Sequence, residues 1–364
     1  MEFGVDAVAG KRNYMEDRYS SQLIQVETEN GKETLGLFAV YDGHGGEFAA
    51  DYCAKHFPKV VIQHPKFPID IACCLRESCE SFDVRLLEES LKWKTYSGCT
   101  LNLVVVSSRY LYCCNVGDSR AVLSRGGVAV ALSKDHNISN ASEVVRVKQA
   151  GGFITHRGIN DYMSVTRALG DLDLKGHKEK WFPELHLKAD LVIATPDITV
   201  VDLHPTDEFV IVASDGLWCQ MSDTEAVKWT RKTLRQYADP KMAAKALIKK
   251  ALSLGSKDNI TVIVVVLHRQ ELMRDVTVHG GNIFSGTFSK KVAAEWDSSD
   301  DSGHGRGLFQ SVKWKRQGSL LRKNKSFVSN ENSLPSKDED ERKEPNAWSR
   351  MVETYKTKFG KSKE

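Results

Sequence analysis

The feature that most constrains this chain is a succession of short apolar runs, rich in β-branched residues and separated by very short turns. Residues 101–106 and 110–116 are parted only by Ser107-Ser108-Arg109, and residues 121–123 and 128–132 by a turn around Arg125-Gly126-Gly127. Strands joined this closely pair antiparallel, because a parallel crossover needs a dozen or more residues. Further strand signals lie at 35–41, 197–203, 208–213 and 260–267. Helical spacing appears between them. Phe48, Ala49, Tyr52, Cys53, His56 and Phe57 recur at that spacing, with Pro58 as the expected stop. Helices are also predicted over 71–90, 140–150, 223–237 and 241–254; in the second of these, Asn140 is the N-cap, Glu143 follows three residues on and Gly151 is the stop. Pairs of helices interrupting antiparallel strands point to an α+β layered domain rather than a βαβ fold.

Composition divides the 364 residues into two parts. Residues 1–270 have the character of a folded domain. Residues 271–364 are rich in Ser, Lys, Glu, Gly and Asn, and such a tail is expected to be mostly disordered because it buries too little apolar area to offset ordering entropy. The tail holds 18 Lys/Arg against 14 Asp/Glu, whereas the whole chain carries only +3, so composition gives no indication of nucleic-acid binding. Within it, Trp314, Leu321 and Phe327 stand among basic residues. Such a stretch suits acidic lipid or a partner's groove, although a solvated basic linker reads the same way. Trp348–Val352 is a second apolar island, and Ser319 and Ser326 follow basic residues as kinase sites do.

No run of about eighteen apolar residues is present, and the first residues show neither a signal peptide nor a myristoylation glycine. The eight cysteines lack zinc spacing, and Cys53, Cys73, Cys74, Cys99, Cys113 and Cys114 sit in apolar runs. The expectation is a monomer in a reducing compartment, cytoplasmic or nuclear.

Acidic residues recur where strands end. Residues 37–41 run into Asp42-Gly43-His44-Gly45-Gly46, and 209–214 into Asp215-Gly216. Residues 111–116 lead to Gly117-Asp118, and Asp258-Asn259 opens the run at 260. A carboxylate at a sheet rim is held by rigid backbone yet reaches solvent, and a neighbouring glycine lets the backbone approach a ligand. Several carboxylates meeting at one rim repel unless a cation lies between them. All-oxygen ligation favours Mg²⁺ or Mn²⁺ over zinc. Taken singly, each Asp-Gly is ordinary turn chemistry, and spacing alone leaves both readings standing.

Further motifs narrow the choice. Arg12-Asn13-Tyr14-Met15-Glu16-Asp17, the stretch from Phe38 to Gly46, Ser97-Gly98-Cys99-Thr100 and Asn115-Val116-Gly117-Asp118-Ser119-Arg120 occur in order. Lys134-Asp135-His136, Thr166-Arg167-Ala168-Leu169-Gly170-Asp171, Ala213–Trp218 and Lys257-Asp258-Asn259 follow. Over residues 3–268 the chain resembles the metal-dependent protein serine/threonine phosphatases, the PPM family of type 2C protein phosphatases. The resemblance implies two packed antiparallel β-sheets flanked by pairs of helices, an αββα sandwich. It implies hydrolysis of phosphoserine and phosphothreonine in phosphoprotein substrates at a two-metal centre of Mg²⁺ or Mn²⁺. Asp42 would bridge the metals, Gly43 would offer its carbonyl, Asp215 and Asp258 would hold the other ion, and Glu16 and Asp17 would act through water. Arg12 would clamp phosphate and His44 would protonate the leaving oxygen. Asp118 would serve a weaker third site, whose usual second Asp is replaced here by Cys219.

The flap region departs from the family too. In the family, glycine is usual near Asp161 and Leu-Ala near Met163-Ser164, and residues 175–190 read as a longer loop. Two rival readings meet obstacles in the residues. A haloacid-dehalogenase-type phosphatase needs Asp two residues after its nucleophile, a place that His44 occupies. A catalytically silent binding module on this fold is opposed by the presence of Arg12, Asp42, His44, Asp215 and Asp258 together.

Overall fold

The computed structural model describes residues 1–28, 31–175 and 188–269. Among these, two five-stranded antiparallel sheets dominate. The first has the spatial order Glu2–Val8, Ile260–Val266, Asp207–Ala213, Arg120–Arg125, Val128–Ala131. The second runs Asp197–Asp202, Tyr110–Val116, Leu101–Val106, Gly31–Tyr41, Arg18–Thr28.

The central strands are apolar without a break because both their faces are covered. In Ile260–Val266, Ile260, Val262, Val264 and Val266 pack toward helices, while Ile263 and Val265 pack toward the other sheet. In Gly31–Tyr41, Leu35, Leu37, Ala39 and Tyr41 lie on the helix side and Phe38 and Val40 on the sheet side. Phe38, Val40 and Val104 thus meet Val210, Val212, Ile263 and Val265 in a layer between the sheets. Burying each such side chain contributes about 1.5–3 kcal/mol before entropy is counted. Helices Phe48–Ile62 and Ile71–Trp93 cover the second sheet, and Asp223–Tyr237 and Pro240–Ser253 cover the first. The expected αββα sandwich is therefore the architecture found.

Local chemistry sets the helix ends. Ser222 and Glu225 form a reciprocal capping box at the start of Asp223–Tyr237. Asp70 caps Ile71–Trp93 through Cys73 N, and Asp239 precedes a proline in the first turn of Pro240–Ser253.

Three expectations need correction. The first helix does not stop at Pro58; it continues to Ile62. Proline sacrifices one backbone bond, but burial of Phe57 and Val61 against the sheet keeps the helix going. Glu143 does not close a capping box on Asn140, whose side chain accepts from Ser142 N. It is buried beneath Arg167 and Arg146 instead. Cys73 is not a core thiol, for its Sγ lies 2.9 Å from Lys66 Nζ in a half-exposed cluster with Glu77. The edge strands Glu2–Val8 and Arg18–Thr28 were not foreseen, because their partly exposed faces dilute the apolar signal.

The tail boundary, the basic and Trp348 islands and most of the 175–190 loop lie outside the described residues. No described helix is long and apolar enough to cross a membrane.

Candidate active site

The strand Gly31–Tyr41 delivers Asp42 to the rim between the sheets. There Asp42 N donates to Thr100 Oγ1 (3.2 Å), and Thr100 N donates to Asp42 O (2.9 Å), so the residue is pinned to the neighbouring strand. Asp118 sits in the turn between Tyr110–Val116 and Arg120–Arg125. That turn depends on Gly117, which has φ +110° and whose missing Cβ would fall 2.6 Å from Thr100 Cβ. Asp215 opens the short helix Asp215–Trp218, directly after Asp207–Ala213 and Ser214. Three distant segments therefore converge: carboxylate oxygens of Asp42, Asp118 and Asp215 all lie within 4.8 Å of one another.

Their titration reflects this crowding. Burial first, then the charges of Asp17, Asp215, Asp118 and Asp258, push Asp42 well above the usual carboxylate range. Burial, Asp215 and Asp135 push Asp118 up to about 7. Burial pushes Asp17 up to about 6 against hydrogen bonds from Ser214, Thr261 and Asp42. Asp215 is raised by burial and by Asp258. Carboxylates assembled at this cost repel unless a cation lies between them, and an all-oxygen donor set fits a hard divalent ion such as Mg²⁺ or Mn²⁺.

The remaining predicted residues surround this group. Asp258 lies outside the trio; its Oδ2 accepts from Arg12 Nη2 (2.9 Å) and its Oδ1 from Asn259 N (2.8 Å). Arg12 is half exposed, so it remains accessible from solvent. Glu16 Oε1 accepts from Gly46 N (2.7 Å), which fastens the glycine turn after His44. Asp17 is buried and accepts from Ser214 Oγ (2.8 Å). Gly43 and His44 form a two-residue strand paired with Gly98 and Cys99. His44 Nε2 lies 2.7 Å from Asp171 Oδ1. Burial alone would lower the imidazole pKa, but the charge and hydrogen bond of Asp171 override it, and His44 is raised. Cys219 is exposed as a residue, with Sγ 3.8 Å from Asp215 Oδ2; partial desolvation of the thiol, with the charges of Asp215 and Asp118, pushes it up to about 12.

Motif reading alone gave no role to two residues that organise this rim. Asn259 Nδ2 donates to Ala9 O and Tyr14 O, and its Oδ1 accepts from Glu16 N (2.7 Å), stitching the Arg12–Asp17 loop beside Asp258. Asp171 holds His44. Both stood in quoted motifs, but a motif does not reveal what a side chain touches. The flap departure has a physical form. Asn160 and Asp161, where glycine was expected nearby, have φ of +50° and +74°. Their side chains secure the turn, Asn160 Oδ1 accepting from Phe153 N and Asp161 Oδ1 from Thr155 Oγ1.

Carboxylates from separate strand ends, gathered at the rim of an αββα sandwich, define a metal-dependent phosphatase of the class its motifs resemble. The family model for protein phosphatase 2C matches residues 1–260, and the chain belongs to that family. Probable protein phosphatase 2C 27 of Oryza sativa subsp. japonica is 35% identical over 266 residues, covering 72% of this chain and 74% of its own. Probable protein phosphatase 2C 69 of Arabidopsis thaliana is 37% identical over 266 residues, covering 72% and 69%. The solved serine-threonine phosphatase 2C from Toxoplasma gondii shares the fold, with a TM-score of 0.61 at 22% identity over 72% of this chain and 94% of that one. The protein is thus a metal-dependent protein serine/threonine phosphatase, and phosphoproteins are its substrates.

Proposed function

We propose that the rim is a two-metal centre at which phosphoserine and phosphothreonine are hydrolysed without a phosphoenzyme. The observation that carries this reading is the convergence of Asp42, Asp118 and Asp215 oxygens within 4.8 Å. Asp42, the Gly43 carbonyl, Asp215 and Asp258 would hold the ions. Glu16 and Asp17 would act through water. Mg²⁺ or Mn²⁺, when bound, would supply a water activated at neutral pH and neutralise charge on phosphoryl oxygens.

The chain's own groups supply the rest. Arg12 engages Asp258 through Nη2, which leaves Nη1 and Nε for a phosphate oxygen. His44, with Nε2 committed to Asp171, presents Nδ1 as the donor to the leaving serine or threonine oxygen. Asp118 beside Asp215 suits a weaker third ion, which Cys219 in place of a carboxylate would weaken further.

The test is turnover of a phosphoserine peptide in Mn²⁺, alongside calorimetric Mn²⁺ titration. Activity and binding that both vanish in Asp42→Ala support the reading. Full activity in that variant refutes it, and metal binding by wild type without any turnover points to a silent scaffold.

Residues 1–270 would fold and catalyse alone, with residues 271–364 serving regulation or docking in a cytoplasmic or nuclear setting. A 1–270 fragment that precipitates would argue against that boundary.

A further inference from the structure

His44 and Asp171, far apart in sequence, are brought together by a small ribbon in which Gly98–Cys99 pairs on one side with Gly43–His44 and on the other with Leu169–Gly170. Asp171 is only 1% exposed. Its Oδ1 meets His44 Nε2 at 2.7 Å, while its Oδ2 is buried with no hydrogen-bond partner among the described residues. Its backbone is left-handed, φ +56°, a conformation that non-glycine residues adopt uncommonly. A buried carboxylate with an orphan oxygen on strained backbone persists only where its surroundings over-determine it.

Two surroundings do so. Asp83, on the helix Ile71–Trp93, accepts from Gly170 N (2.8 Å) and forms a buried ion pair with Lys175 Nζ (2.9 Å). Lys175 Nζ also donates to Ala168 O (2.6 Å), so the backbone on both sides of Asp171 is clamped to one helix. Gly98 makes the second constraint. A Cβ there would lie 2.3 Å from either oxygen of Asp171, so the carboxylate rests directly on the glycine Cα.

We propose that Asp171 is a positioning residue that accepts from His44 Nε2–H and holds the imidazolium in the orientation that presents Nδ1–H to the leaving oxygen. The proposal rests on the phosphatase reading with His44 as the acid. As water's oxygen bonds to phosphorus and the ester P–O bond breaks, the departing oxygen takes the Nδ1 proton and leaves as the neutral alcohol. The ring is reprotonated from solvent. Asp83 and Lys175 act one step further out, by holding the segment that carries Asp171.

The experiment compares two substrates in Mn²⁺. A phosphoserine peptide has a poor leaving group that needs the proton, whereas p-nitrophenyl phosphate expels a stable anion that does not. Asp171→Asn keeps the shape, and asparagine tolerates positive φ. Its turnover of the peptide should fall about 100-fold, the low end of what general acid catalysis supplies, with p-nitrophenyl phosphate changed less than about threefold. Gly98→Ala displaces the carboxylate without removing a polar group; it should show the same split and keeps the question answerable if Asp171→Asn folds poorly. Equal losses on both substrates, or undiminished peptide turnover in Asp171→Asn, overturn the proposal. A wild-type chain inactive on both substrates instead overturns the phosphatase reading, and this proposal with it.

Discussion

One strand, Gly31–Tyr41, serves two opposite environments. At Phe38 and Val40 it faces the layer between the sheets, where side chains from both sheets meet wholly buried. Just past its end, Asp42 joins Asp118 and Asp215 in a group whose members repel. The first region stabilises the molecule and has no chemistry. The second has the chemistry and destabilises the molecule while no cation is bound. The comparison teaches that the dry layer supplies the rigidity that holds like charges together, since carboxylates on mobile backbone would move apart.

Substitutions on the two sides should therefore have opposite signatures. The largest effect is expected at the rim: Asp42→Ala should cut phosphopeptide turnover by at least about 10³-fold, more than the roughly 100-fold expected of Asp171→Asn. The metal-free melting temperature should hold or rise, because a repelling charge is gone. A large drop in melting temperature would show that Asp42 is structural. Phe38→Ala should do the reverse and cost about 3–5 kcal/mol of stability by urea unfolding. A near-neutral result would mean that the layer is not tightly packed.

The contrast also predicts a pH dependence. Asp17 at about 6 and Asp118 at about 7 hold their protons more tightly in the folded chain than in the unfolded one. Their contribution to stability is present in acid and is lost as pH rises through these values. Metal-free protein should melt several degrees lower at pH 8 than at pH 5, and Mn²⁺ should raise the melting temperature more at pH 8. A flat profile would mean that the carboxylates do not repel as their geometry implies. The smallest effect belongs to Cys219→Asp, expected to raise turnover a few-fold at limiting Mn²⁺ by restoring a carboxylate beside Asp215. No change would leave Cys219 a bystander.

The same two regions explain what the sequence revealed. Buried strands such as 101–106 and 260–266 are legible because burial on both faces leaves an unbroken apolar run. Asp42 and Asp215 are legible because a strand followed by Asp-Gly is a local pattern. Edge strands such as Arg18–Thr28 were missed because their exposed face carries polar residues. Pro58 misled because tertiary burial of Phe57 and Val61 outweighs one lost backbone bond. The roles of Asp171 and Asn259 were hidden for a different reason: contacts across 127 and 243 residues of chain exist only after the sheets assemble.

Asp42, Asp215 and Asp258 are proposed to share a cation centre. Anomalous diffraction from crystals soaked in Mn²⁺ tests it most directly. Two peaks flanking the Asp42 carboxylate, one also within bonding distance of Asp215 and Asp258, are the predicted result. Saturating Mn²⁺ with no peak at Asp42 would contradict it.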